Sequence, residues 1–193
     1  MAATLYRIKP RFQRALEPTV VALEQRRVSA DSVTWVGLAL AAAGGALALG
    51  GVVWRPALLA IPFVFLARMA ANAVDGQLAR RMGPTSRGAV LNEVCDVAGD
   101  AVAYIPFAFL IDGPASWLVV AVVAAGLVAE MAAVAGEGPR RNAGPLGKSD
   151  RALAFAVLAV ALASGVPTTV VGGALGVMVG MALLTIRNRM RGL

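Results

Sequence analysis

The sequence contains no histidine and a single cysteine, Cys95, and only 15% of its residues are charged. Without histidine there is no imidazole to activate a nucleophile, ligate zinc or act as a general base, so carboxylates are left as the obvious acid and base groups. One cysteine cannot form an intramolecular disulfide, and neither a CxxC nor a Cys/His metal spacing is present. The charged fraction is far below the roughly 25% of soluble domains. Against this scarcity stand 59% hydrophobic residues and a mean hydropathy of +0.73. The expectation is an all-α integral membrane protein, since helices satisfy their own backbone hydrogen bonds within lipid.

A spanning helix needs about 20 mostly apolar residues, and six segments qualify: 33–53, 57–80, 89–111, 117–135, 152–166 and 168–186. The run from 152 to 186 is too long for one span, so Gly165-Val166-Pro167 is expected to turn a hairpin. Before the first span, Phe12, Leu16, Val20 and Leu23 recur at spacings of three and four, interrupted by Pro18. This pattern reads as an amphipathic helix lying in the membrane interface, or as a surface helix packed on the bundle. The stretch from Arg7 to Asp31 is charged and contains proline, which is unlike a cleaved secretory signal. The expected organisation is therefore an N-terminal cytoplasmic or interfacial segment, 1–31, followed by a six-helix transmembrane domain, 32–193. Ser29 and its neighbours supply N-cap candidates for the first span.

The basic residues test this topology, because cytoplasmic loops carry the Lys/Arg excess. Arg7, Lys9, Arg11, Arg14, Arg26 and Arg27 fall on one side, with Arg80, Arg81 and Arg87, then Arg140, Arg141, Lys148 and Arg151, and finally Arg187, Arg189 and Arg191. Only Arg55 falls on the other. Both termini are thus expected in the cytoplasm of a bacterial-type cell membrane. The net charge of +7 reads as this topological signal plus affinity for anionic headgroups, not as nucleic-acid binding.

Within the spans, polar residues gather in one stretch: Asn72, Asp75, Gly76, Ala79, Arg80, Gly88, Asn92 and Asp96. Asn72 and Asp75 lie at i and i+3 near the end of the second helix, and Asn92, Asp96 and Asp100 form one stripe on the third. The short turn 81–87 makes antiparallel packing of the two almost obligatory. An ionisable group in a span costs about 2.5 to 3.5 kcal/mol, so a cluster marks a functional site. Arg68 and Asp100 reach similar depth, about 10 Å beyond Asp75 and about 6 Å beyond Asp96 at helical rise, and read as a buried ion pair. Glu130 sits near the end of the fourth helix, either closing a pocket or pairing with an arginine. Hard oxygen donors without Cys or His suit Mg2+ or Mn2+. Asn72, Asp75, Asn92 and Asp96 carry two formal negative charges, which leaves one ion or two open.

The spacing Asn72-x2-Asp75-Gly76-x2-Ala79-Arg80-x7-Gly88-x3-Asn92-x3-Asp96 resembles the signature of the CDP-alcohol phosphatidyltransferase family, with Asn at the first and third Asp positions. Ser29 to Thr34 is similar to the family's lead-in to its first helix. The resemblance implies transfer of a substituted phosphate from a CDP-linked donor such as CDP-diacylglycerol to an alcohol, with release of CMP. Asn72, Asp75, Asn92 and Asp96 would hold the metal, and Asp96 would also be the catalytic base. Gly76, Ala79, Arg80, Thr85, Gly88 and Thr34 would line the nucleotide and diphosphate site. The segment around Gly144-Pro145-Leu146-Gly147-Lys148 is faintly similar to members that use glycerol phosphate or inositol phosphate, which would assign Arg140, Arg141, Lys148 and Arg151 to the acceptor. Related proteins are commonly homodimers. Two alternatives stay open: a weakened member that binds nucleotide or lipid, and transfer of a CDP-linked headgroup to diacylglycerol.

Overall fold

The computed structural model describes residues 5–135 and 141–191. Helices α1 (Leu5–Ala15) and α2 (Glu17–Gln25) precede six long helices: α3 (Ala30–Val53), α4 (Ile61–Met82), α5 (Ser86–Tyr104), α6 (Ser116–Val134), α7 (Lys148–Ala163) and α8 (Thr168–Met190). These occupy the six segments expected from the sequence. Among the described residues, four helical stretches are long and apolar enough to cross a membrane: Ala30–Val53, Arg55–Met82, Gly113–Val134 and Thr168–Met190. The second includes the 3-10 turns Arg55–Ala60 that lead into α4. α5 carries Arg87, Glu93, Asp96 and Asp100, and α7 is only 16 residues long with Lys148, Asp150 and Arg151 in its first turn. That is why these two fall short of the length and apolarity of the others.

The helix ends follow local chemistry. Ser29 caps α3, its side chain accepting from the Ser32 amide at 3.2 Å. Gly83, at φ 98°, and Pro84 end α4, a conformation that costs glycine nothing. Thr85 then caps α5 through the Gly88 amide at 3.0 Å. Gly165 and Pro167 separate α7 from α8, so the expected hairpin is present.

α3 packs against both α4 and α5, α6 against α8, and α7 against α4. Backbones approach most closely at Gly45, where an added Cβ would lie 2.2 Å from the Val102 carbonyl oxygen on α5. The core centres on Tyr104, stacked on Phe155 at 4.3 Å and edge-on to Phe65 at 5.4 Å. Large apolar side chains also point outward, Phe63 being 75% exposed and Trp117 72%. An outward apolar surface on apolar helices of this length is the surface of a multi-pass membrane protein.

The N-terminal helices pack on the bundle, one of the two arrangements expected for them. Val20 is fully buried in a small cluster with Val33, Val74 and Leu78, against which Leu16 and Leu23 pack. Arg81 at the end of α4 pairs with Glu17 and with Glu24, the latter at 2.9 Å. α2 is therefore docked on the bundle by an apolar plug and a two-carboxylate clasp.

Candidate active site

The polar residues converge at the end of the bundle where α4 finishes and α5 and α7 begin. Asp75, buried on α4, accepts a hydrogen bond from Thr34 Oγ1 on α3 at 3.1 Å. One turn earlier on α4, Asn72 directs Nδ2 at Asp96 Oδ1 on α5, 3.4 Å away. The same Asp96 oxygen receives the ammonium group of Lys148, the first residue of α7. Asp75 lies within electrostatic reach of both Asp96 and Lys148. Asn92 is half-buried on α5, one turn before Asp96.

Small residues create this room. A Cβ on Gly37 would lie 2.7 Å from Asn72 Oδ1, so glycine at 37 lets α3 pass over that side chain. Arg80 is exposed at the end of α4 and folds back along Gly76, its Nη1 3.5 Å from where a Cβ would stand. Ala79 is half-buried beside them. Gly88 packs near Thr85 and Asp31: a Cβ there would lie 3.0 Å from Thr85 Oγ1 and 3.2 Å from Asp31 Oδ1. Of the residues expected to line a diphosphate, Gly76 and Arg80 adjoin on α4, Thr85 and Gly88 meet at the start of α5, and Thr34 stands on Asp75.

The donor set fits a hard divalent cation. No three Cys, Asp or Glu side chains converge among the described residues, so the amide carbonyls of Asn72 and Asn92 would complete the oxygen ligands that Asp75 and Asp96 begin. As placed, Asn72 turns Nδ2 to Asp96 and Oδ1 toward Gly37, so offering its oxygen to a cation would require the amide to rotate.

Deeper in the bundle is a second charged layer. Arg68 Nη2 donates to Asp100 Oδ1 at 2.8 Å, which bears out the expected pair. Arg151 Nη2, from α7, donates to the other oxygen, Asp100 Oδ2, at 2.7 Å and lies 3.3 Å from Glu130 Oε1. Arg189, from α8, reaches the same Glu130 oxygen at 3.4 Å and donates to the Ala129 carbonyl at 2.5 Å. Arg68 also donates to Tyr104 Oη at 3.3 Å. Burial of Arg151 and Arg189 escaped the sequence reading, because at helix ends both looked like topological positive charge. The nearest signal was Glu130, a lone acid in an apolar helix that needs a cation.

Between the two layers lies a small cleft of about 50 Å3, where Glu93, Asp96, Asp100, Glu130, Lys148 and Arg151 meet apolar residues of α5 and α6. Of the four cations assigned to the acceptor, Lys148 and Arg151 line it. Arg141 instead directs Nη1 to the Arg189 carbonyl at 3.4 Å, and Arg140 lies outside the described residues.

The described residues form an all-helical membrane bundle with carboxylates, amides and an arginine gathered at one end. The description of the CDP-alcohol phosphatidyltransferase family matches residues 27–186, and the chain belongs to that family. It is a phosphotransferase. It is 42% identical over 165 residues to the inner membrane protein YnbA of Escherichia coli (strain K12), covering 83% of this chain and 81% of that one. It is also similar to the crystal structure of the Mycobacterium tuberculosis phosphatidylinositol phosphate synthase PgsA1 with CDP-DAG bound, with a TM-score of 0.73 over 92% of each chain. At 22% identity that second likeness is one of fold.

Proposed function

We propose that this protein transfers the phosphatidyl group of CDP-diacylglycerol to an alcohol, releasing CMP, in phospholipid biosynthesis at a bacterial inner membrane. The observation that carries the reading is the convergence of Thr34, Asn72, Asp75 and Asp96 from three helices, α3, α4 and α5, at one end of the bundle. The relative named for the inner membrane and the fold shared with a synthase holding CDP-DAG support it. In this reading α5 and α7 also cross, making six spans, with both termini in the cytoplasm.

The roles follow from position. Asn72, Asp75, Asn92 and Asp96 would hold a divalent ion, which would supply positive charge for the diphosphate. Arg80 donates charge-assisted hydrogen bonds to its oxygens, and Gly76 and Ala79 let the nucleotide approach the helix. Thr34 fixes the Asp75 carboxylate by donating to Oδ2. Asp96 accepts the proton of the acceptor hydroxyl, the acceptor oxygen bonds to the phosphorus that bears the lipid, and the bond from that phosphorus to CMP breaks. Arg151 lines the cleft and is held there by Asp100 and Glu130.

Purified protein given CDP-diacylglycerol, Mg2+ or Mn2+ and a panel of glycerol phosphate, inositol phosphate, inositol and serine will release CMP with at least one acceptor. No release with any of them sinks the enzyme reading. Replacing Arg141 by Ala leaves the KM of a phosphorylated acceptor unchanged, because its guanidinium turns to the Arg189 carbonyl and does not line the cleft. A rise in that KM with donor binding spared would return Arg141 to the acceptor.

A further inference from the structure

We infer that Lys148 is a resident cation of the nucleotide site, serving at Asp96 in place of a second divalent ion and contacting the diphosphate of the bound nucleoside diphosphate ester. The inference rests on the phosphotransfer reading above and adds to it a residue and a metal count.

Charge comes first. The oxygen set of Asn72, Asp75, Asn92 and Asp96 holds two negative charges, which one divalent ion neutralises. A diphosphate ester adds further negative charge, and two neutral amides attract no second ion to balance it. The Lys148 ammonium stands on the Asp96 oxygen that Asn72 also approaches, so a positive charge is already built into the site.

Rigidity comes second. Lys148 and Arg151 are separated by three residues on α7, and Asp96 and Asp100 by four on α5. Their pairing makes two rungs of one ladder, Lys148 with Asp96 and Arg151 with Asp100. The lower rung is enclosed, the Arg151 side chain being 2% exposed, and it locks α7 to α5 in register. Asp150 fixes the start of α7 by accepting from the Gly147 amide at 3.0 Å. The upper rung is more open, with Lys148 25% and Asp96 17% exposed, and both line the cleft. A lysine needed only for packing gains nothing from that opening. An ammonium meant to meet an incoming phosphate requires it, and three rotatable donors let it hold a carboxylate and a phosphate oxygen together.

The test uses the full chain in detergent micelles, with CDP as the probe and calorimetry as the readout. Wild type binds CDP in EDTA. Lys148→Met weakens that binding by about tenfold or more, about 1.4 kcal/mol. Lys148→Arg restores most of it. CDP binding by Lys148→Met in Mn2+ shows that the variant is folded, and Mn2+ titrated into the wild-type CDP complex saturates at one ion per chain. Unchanged CDP binding by Lys148→Met in EDTA, wild-type binding only with Mn2+, or saturation at two ions each overturns this inference while leaving phosphotransfer standing. Absence of CDP binding even with Mn2+ overturns both.

Discussion

Asp96→Asn will lower the rate of CMP release by about 10²- to 10⁴-fold, the range expected when a positioned general base is removed. The substitution keeps the side-chain shape and an acceptor oxygen for Asn72 and Lys148, which now converge on Asp96 Oδ1. The buried rung one turn away, Arg151 with Asp100, is untouched. Thermal unfolding should therefore change little while turnover collapses. Initial rates with saturating donor, beside melting curves in the same detergent, check the expectation. A loss smaller than about tenfold would remove Asp96 from the role of base and leave it only a place beside the metal.

Asp100→Ala is expected to do the opposite, failing as a folded protein before it fails as an enzyme. Asp100 holds Arg68 of α4 on one oxygen and Arg151 of α7 on the other. Its loss leaves two enclosed guanidinium groups, with Glu130 also shared by Arg151 and Arg189. Breaking a buried pair by deleting one member costs about 3–5 kcal/mol, which in a chain of this size lowers the melting temperature by about 10 °C or more. Asp100→Asn is milder, since its amide oxygen still accepts from one arginine. Melting temperature and the monodisperse fraction on size exclusion distinguish the variants. Unchanged melting with lost turnover would instead place Asp100 in the chemistry.

Much of this arrangement was legible in the sequence because lipid simplifies the code. Apolar runs must be helices, so the six long helices fall where hydropathy puts them, and the turn at Gly83-Pro84 brings Asn72 and Asp96 together. Arg68 and Asp100 were legible by depth alone. Packing between helices distant in sequence was less so. Arg151 and Arg189 carry the same letters as the basic residues that set topology, and only the approach of α7 and α8 to Glu130 shows them to be internal. Likewise, Lys148 belonged to a loop cluster until the register of α7 against α5 put it on Asp96. The dual reading of Phe12 to Leu23 could not be settled by periodicity, because an amphipathic face suits lipid and protein equally. Val20 and the Arg81 clasp turn that face to α4.

The Asp100 junction also bears on how the chain is made. α5 leaves the ribosome with its carboxylate unpartnered on that side, and Arg151 is synthesised only 51 residues later. An isolated α5 bearing Asp96 and Asp100 is a poor candidate for entering lipid alone. Arg68, already present on α4, can escort it, and α7 in turn has Asp100 and Glu130 waiting when it arrives. If α5 and α7 cross the bilayer as proposed, the charged layer would give the nascent protein an order of assembly, each short polar helix meeting a counter-charge on a helix made before it.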